Sequence, residues 1–191
     1  MLTLCAMVEE ALKCALRAVS QRSEVQARDV IKNDAAIDNM EIEVEEECLK
    51  VLALHQPVAV DLRFIVAILK INNDLERIGD LAVNIAERCL FITSQPPVKL
   101  DFDFSAMFDK AIEMLKMSLD SLVNWDAVLA GKVCASDEQV DSLNRDMFEI
   151  FKQEAHQRPQ NIDLMLQYLS ISRHLERIAD HATNIAEDVI Y

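Results

Sequence analysis

The sequence predicts an all-α protein, and three observations carry that prediction. Gly and Pro are scarce, two and four in 191 residues, whereas a sheet protein needs many turns built from them. Good helix formers, chiefly Leu, Ala, Glu, Met and Ile, take their place. Apolar residues make up 51% of the chain and recur at helical spacing, enough to bury a sizeable core.

Six helices follow from the punctuation. Helix 1 is expected over roughly 3–20 and helix 2 over roughly 23–55. Pro57 is expected to open helix 3, which runs to about 92. Thr93-Ser94-Gln95-Pro96-Pro97 reads as a linker, because paired prolines cannot continue a helix. Helix 4 is expected over about 104–130 with Gly131 as its C-cap, and helix 5 over about 135–157. Pro159 and Asn161 open helix 6, which runs to the end.

The two halves are copies of one another. INNDLERIGDLAVNIAE (71–87) and ISRHLERIADHATNIAE (171–187) share most positions, and DAAID (34–38) corresponds to DEQVD (137–141). A unit of three helices has been duplicated, giving an antiparallel three-helix bundle at 1–95 and a second at 98–191.

Charge and cysteine content narrow the function. A formal net charge of −14 opposes binding to nucleic-acid phosphates and to anionic lipid. The five cysteines, Cys5, Cys14, Cys48, Cys89 and Cys134, form no CxxC pair and read as reduced thiols of a cytoplasmic protein. Acids at Glu9 and Glu10 make the start an amphipathic helix rather than a secretory signal. No apolar run reaches membrane-spanning length, so any membrane contact would be peripheral, through partners.

The chemistry-bearing pattern is acidic. On helix 3, Glu76, Arg77, Asp80, Asn84 and Glu87 fall within about 60° of Asn73, opposite the core stripe Ile71, Leu75, Ile78, Ala82, Ile85 and Cys89. Glu176, Arg177, Asp180, Asn184 and Glu187 repeat that stripe on helix 6. On helix 2, Asp34, Asp38, Glu41 and Glu45 run between two apolar rows, Ile37-Val44-Cys48 and Ile31-Ile42-Leu49, while Glu43, Glu46 and Glu47 face solvent. Measured from the turns near 56 and 159, Asp34/Asp38 come level with Glu76/Asp80, and Asp137/Asp141 with Glu176/Asp180. Acidic pairs four residues apart are common in so acidic a chain, but four of them, duplicated and level, are not.

Two readings of these pairs stand side by side. One is a salt-bridge ladder in which Arg77 answers Asp80 and Arg177 answers Asp180. The other is an oxygen-rich site for a hard or borderline metal ion. The histidines decide little: His174 and His181 read as surface residues with some capacity to add nitrogen ligands, and His55 and His156 sit at the hairpin turns. Trp125, Met114 and Met117 are expected in the core of helix 4.

At these residues the chain resembles the PhoU family. The resemblance rests on the doubled LERI(G/A)DxAxNIAE and on HQPVAVDLR at 55–63. It implies two three-helix bundles and metal, iron or zinc, at Asp34, Asp38, Glu76, Asp80, Asp137, Asp141, Glu176 and Asp180. It further implies a negative regulator of phosphate uptake and of the phosphate-starvation response. Such a regulator acts between a phosphate ABC transporter and a sensor histidine kinase, and often works as a homodimer. The family's first helix begins upstream of the segment matching Met7-Val8-Glu9-Glu10, so helix 1 is expected to be shortened, at barely five turns against about seven for helix 4. Two competing functions are a partner-binding scaffold with metal-free acidic stripes and a carboxylate-bridged di-metal enzyme. The second lacks support, because no Glu is followed three residues later by the His such bundles use.

Overall fold

The computed structural model describes residues 1–98 and 104–191. Six α-helices follow one another: α1 (Leu2–Gln21), α2 (Glu24–His55), α3 (Val60–Ser94), α4 (Phe104–Asn124), α5 (Ala127–Gln157) and α6 (Ile162–Ile190). A single 3-10 turn, Pro159–Asn161, introduces α6. No strand occurs among the described residues, and none of their helices is long and apolar enough to cross a membrane.

Each boundary has a local cause. Ser23 caps α2 by accepting a hydrogen bond from the Gln26 N–H at 3.4 Å, and Arg22 ends α1 in the left-handed region. Arg22 also donates to the Ile92 carbonyl at 2.6 Å and to the Gln95 carbonyl, tying the α1–α2 turn to the end of α3. Asp126 caps α5 through the Val128 and Leu129 N–H groups at 3.0 and 2.9 Å.

Four expectations are corrected here. Helix 4 stops at Asn124, and Gly131 lies inside α5, because the Asp126 cap starts a new helix before the glycine is reached. α4 is therefore 21 residues long against 20 for α1, and the expected difference in length between them disappears. Helix 3 begins at Val60 rather than at Pro57, after Gln56 and Ala59 have both taken positive φ. Trp125 is 61% exposed: it occupies the α4–α5 turn at φ 55 and packs on Phe64 of α3, ring centroids 5.1 Å apart.

Within each half the three helices pack on one another, α1 with α2 and α3, and α4 with α5 and α6. The halves then join along α3 and α6 and, less extensively, along α1 and α4. Lys70 with Asp188, Asp74 with His181 and Arg88 with Gln167 show that α3 and α6 run antiparallel. The buried residues of the two halves form one continuous apolar cluster, so the bundles share a core instead of each closing its own. Residues 99–103, the start of the second expected unit, lie outside the described residues.

The repeat is visible in the packing. Leu4, Val8, Leu12, Ala15, Leu16, Ala18 and Val19 of α1 are buried, as are Met107, Ala111, Leu115, Ser118, Leu119, Ser121 and Leu122, each 103 positions later in α4. Gly79 lets α2 approach α3, since a Cβ there would stand 3.2 Å from Ile37 Cγ2. In the second half the corresponding residues are Ala179 and Val140, both buried, so one methyl group has moved across the contact.

A shared core predicts one cooperative transition. In urea, helicity and the fluorescence of the single tryptophan, Trp125, should change together, and Leu75→Ala should cost about 2–5 kcal/mol in both signals. Two separate midpoints would show that the halves unfold independently.

Candidate metal-binding faces

The two acidic faces lie where the helix pairs α2–α3 and α5–α6 come together. Core periodicity fixes their orientation: Ile71, Leu75, Ile78, Ala82, Ile85 and Cys89 are all buried, which turns Glu76 and Asp80 to the opposite side. Ile37, Val44 and Cys48 anchor α2 in the same way. The second expected apolar row is not buried in full, since Ile42 and Leu49 are about half exposed.

Electrostatic coupling shows which carboxylates share a face. Burial raises the Asp34 carboxyl above its ordinary value, with the charges of Asp38 and, across the helix pair, Asp80 adding to it. Glu76 is raised by burial and by Asp80, Asp38 and Glu41, against the opposing pull of Arg77. On the second face Asp137 is raised by burial, Asp141 and Asp180. Glu176 and Asp180 are raised by burial first, with Asp141 adding to both. Each face therefore gathers all four of its expected residues at one level, as helix rise requires.

The faces differ in how that charge is compensated. On the first, Arg77 lies 3.4 Å from Glu76 and 3.2 Å from Asp80 and holds both. One oxygen of Asp34 is buried without a hydrogen-bond partner, a costly arrangement for a carboxylate. On the second, Thr183 donates to Asp137 at 3.4 Å, where the first half has Val83. Among the described residues Arg177 makes no ion pair within 4 Å, and Asp141, Glu176 and Asp180 form none; only the more distant charges of Arg173 on Glu176, and of His181 and Arg177 on Asp180, oppose their rise. The same residues include no three His, Cys, Asp or Glu side chains already converged on one point close enough to hold an ion. Mutual repulsion spreads the carboxylates, and a cation would have to draw them together.

Several polar residues at these junctions escape a reading of periodicity. Asn72 donates to the Glu41 carbonyl and side chain at 3.0 and 3.2 Å, and the repeat-related Ser172 donates to Asn144 at 2.9 Å. Both links bridge the helices one turn from the acidic pairs. Their signal was the pairing of polar residues at corresponding positions of the two halves.

His174 and His181 are not surface residues, whereas His55 and His156 at the hairpin turns are exposed. His181 Nδ1 lies 2.7 Å from Asp74, and Asn184 donates to the same oxygen at 3.4 Å, in the seam between α3 and α6. His174 is half-buried in that seam with its Nδ1 unpartnered, and burial, aided by Arg88 and Arg177, pushes its pKa down to about 4. Both histidines are held in the seam, and His181 bears on the second face only through its charge on the adjacent Asp180.

A duplicated helical bundle with two repeat-related acidic faces is a recognisable class of protein. Residues 1–89 and 104–189 each match the PhoU domain, and the chain belongs to the PhoU family. It is 35% identical over 187 residues to the phosphate-specific transport system accessory protein PhoU homolog 1 of Thermotoga maritima, covering 97% of this chain and 80% of that one. It is 38% identical over 171 residues to the PhoU homolog of Aquifex aeolicus, covering 90% and 77%. Its fold superposes on the crystal structure of PhoU from Pseudomonas aeruginosa with a TM-score of 0.95 at 33% identity, over 100% of this chain and 91% of that one. The phosphate transport system regulatory protein PhoU from Streptococcus pneumoniae gives 0.87 at 30% identity, over 100% and 89%. The relatives are accessory proteins of phosphate transport, and the chain takes its place in phosphate-transport regulation.

Acidification should separate the groups described above. His174 is depressed, so its contribution to stability is present above about 6.5 and is lost as pH falls toward about 4. Asp34, Glu76, Asp137, Glu176 and Asp180 are raised, so theirs is complete at low pH and is lost as pH rises through the folded values. In chelator, His174→Gln should therefore make the melting temperature rise, or fall less, between pH 7 and pH 5 than it does in the wild type. Asp137→Asn with Glu176→Gln should make it fall more steeply. Identical slopes in all three proteins would refute the assignment.

Proposed function

We propose that this protein is a cytoplasmic negative regulator of phosphate uptake that acts by binding partners, not by catalysis. Its partners in this reading are a phosphate ABC transporter and a sensor kinase, and it works as a homodimer. In phosphate-rich conditions it keeps the starvation response off. The support is family membership together with the names of the relatives, which are accessory proteins of a transport system.

The acidic faces are the sites we assign to metal. The observation that carries this reading is the level set of four carboxylates on each face, with Asp34 and Glu76 on the first and Asp137, Glu176 and Asp180 on the second raised by burial and by the charge of their neighbours. The donors are oxygens alone, which suits hard or borderline cations such as iron or zinc. Asp34, Asp38, Glu76 and Asp80 would hold an ion on the first face, and Asp137, Asp141, Glu176 and Asp180 on the second. A bound ion would neutralise the like charges and cross-link the two helices of each pair. That stiffens a surface, so a partner meets it with less ordering cost.

The ladder reading is favoured by one observation, and on one face only. Arg77 already bridges Glu76 and Asp80, whereas Arg177 bridges nothing on the second face. Metal therefore belongs first to the second face. In protein purified without chelator, Glu176→Ala with Asp180→Ala should lower metal content per chain more than Glu76→Ala with Asp80→Ala, with helicity retained in both. Unchanged metal content in the first double variant would leave the faces as ladders.

The regulatory reading has its own test. Cells lacking the protein should express phosphate-scavenging genes in phosphate-rich medium, and the variant altered at Glu176 and Asp180 should restore repression only in part. Normal repression in the deletion strain, with phosphate uptake unchanged, would end this reading whatever the fold.

A further inference from the structure

The repeat supplies an internal standard for every surface, and the surface between α1 and α2 departs from it in shape. Between α1 and α2 runs an open groove of about 510 Å³. Its floor and walls include Ala6, Met7, Ala11, Cys14, Val30 and Ile37. On α1 the lining extends from Thr3 to Cys14, about 16 Å at helical rise, or three turns. The groove is thus long as well as apolar.

Several of the corresponding positions of the second half hold larger side chains, although Ala106, Ser136 and Val140 are smaller than Thr3, Asn33 and Ile37. Met114 stands where the first half has Ala11 and is fully buried; Met117 stands for Cys14 and packs against the core. Gln139 replaces Ala36, and Leu129 replaces Gln26. The α1–α2 junction is therefore a junction of the same architecture with its filling side chains cut back. A junction that lost them without gaining an occupant would forfeit contacts for nothing.

Charge at the rim points to the kind of occupant. Asp29 lines the groove where the second half has Lys132, and Met7 where it has Lys110. Asp29 makes no ion pair among the described residues. The other rim acid, Glu10, is held by Arg17 at 2.6 Å. The second half also has Asp109 where the groove has Ala6, so its two cations and two anions balance, whereas the groove keeps two anions, Glu10 and Asp29, and no cation.

We propose that the α1–α2 groove docks an amphipathic helix of a partner protein. The helix carries large apolar side chains where Met114 and Met117 project in the second half, and it is flanked by Lys or Arg that meet Asp29. Three turns of groove match the i, i+4, i+7 anchors by which such helices are held. The proposal does not depend on metal at the acidic faces, which lie at the α2–α3 and α5–α6 junctions.

The second half provides the variants. The full chain is titrated with a labelled fifteen-residue peptide of Leu and Lys in helical period, and separately with its Leu and Glu counterpart, by fluorescence anisotropy. The wild type should bind the Leu/Lys peptide and not the Leu/Glu one. Ala11→Met with Cys14→Met should weaken binding about tenfold or more, and Asp29→Lys about threefold. Melting temperatures check that the variants fold; should the double variant fail, Ala36→Gln narrows the same groove from its exposed wall and should also weaken binding. Equal binding by the filled variants, binding of both peptides alike, or no binding at all would overturn the proposal. So would a wild-type dimer that Ala11→Met with Cys14→Met splits into monomers, which would give the groove to a second copy of this chain.

Discussion

α3 and α6 each bury a residue every third or fourth position, from Ile71 to Cys89 in one and from Ile171 to Ala186 in the other. They lie antiparallel against each other as well as against the helices of their own halves. Withdrawing either would expose apolar surface in both halves, and the rest of the arrangement follows from that. With one side of each helix committed to the core, its acids are turned outward to meet the acids of α2 or α5. Neither face can relieve its charge by rotating a helix, because rotation would carry leucine and isoleucine into water. The carboxylates are held together by packing that has nothing to do with them.

Duplication gave two copies of this arrangement, and the copies have since taken different remedies. The first face has Arg77 clasped across Glu76 and Asp80 but leaves a buried Asp34 oxygen unpartnered. The second satisfies Asp137 with Thr183 and leaves Arg177 free of ion pairs among the described residues. The seam diverged too, with Asp74 bonded to His181 on one side and His174 unpartnered on the other. Near-identical motifs thus sit in chemically distinct surroundings, and equal sequence does not mean equal affinity for a cation or a partner.

The helices, the repeat and the level of the acidic pairs were legible because each depends on local periodicity or on counting residues from a turn. Leu75, Ile78 and Ile85 are buried for the reason that places Glu76 and Asp80 outside. What was not legible depends on contacts between distant segments. His174 and His181 fall at polar positions of a single helix, and only the arrival of α3 on α6 encloses them. Gly131 looked like a helix end because the stronger stop, at Trp125 with the Asp126 cap, carries no glycine or proline. The trimmed groove beside α1 could have been found by aligning α1 with α4, since Ala11 against Met114 is visible in the sequence once the offset of 103 is known.

Gly79 beside Ile37, against Ala179 beside Val140, bears on how such a gene can evolve. Two adjacent related stretches of one gene can exchange by unequal recombination, which erases differences between them. A recombinant that brought an alanine to position 79 would press its Cβ to 3.2 Å from Ile37, tighter than side chains normally pack. The reciprocal exchange, glycine against valine, would leave a gap the size of a methyl group or more. Each half has therefore become a poor donor for the other, and that mismatch of a single carbon helps keep the two copies distinct.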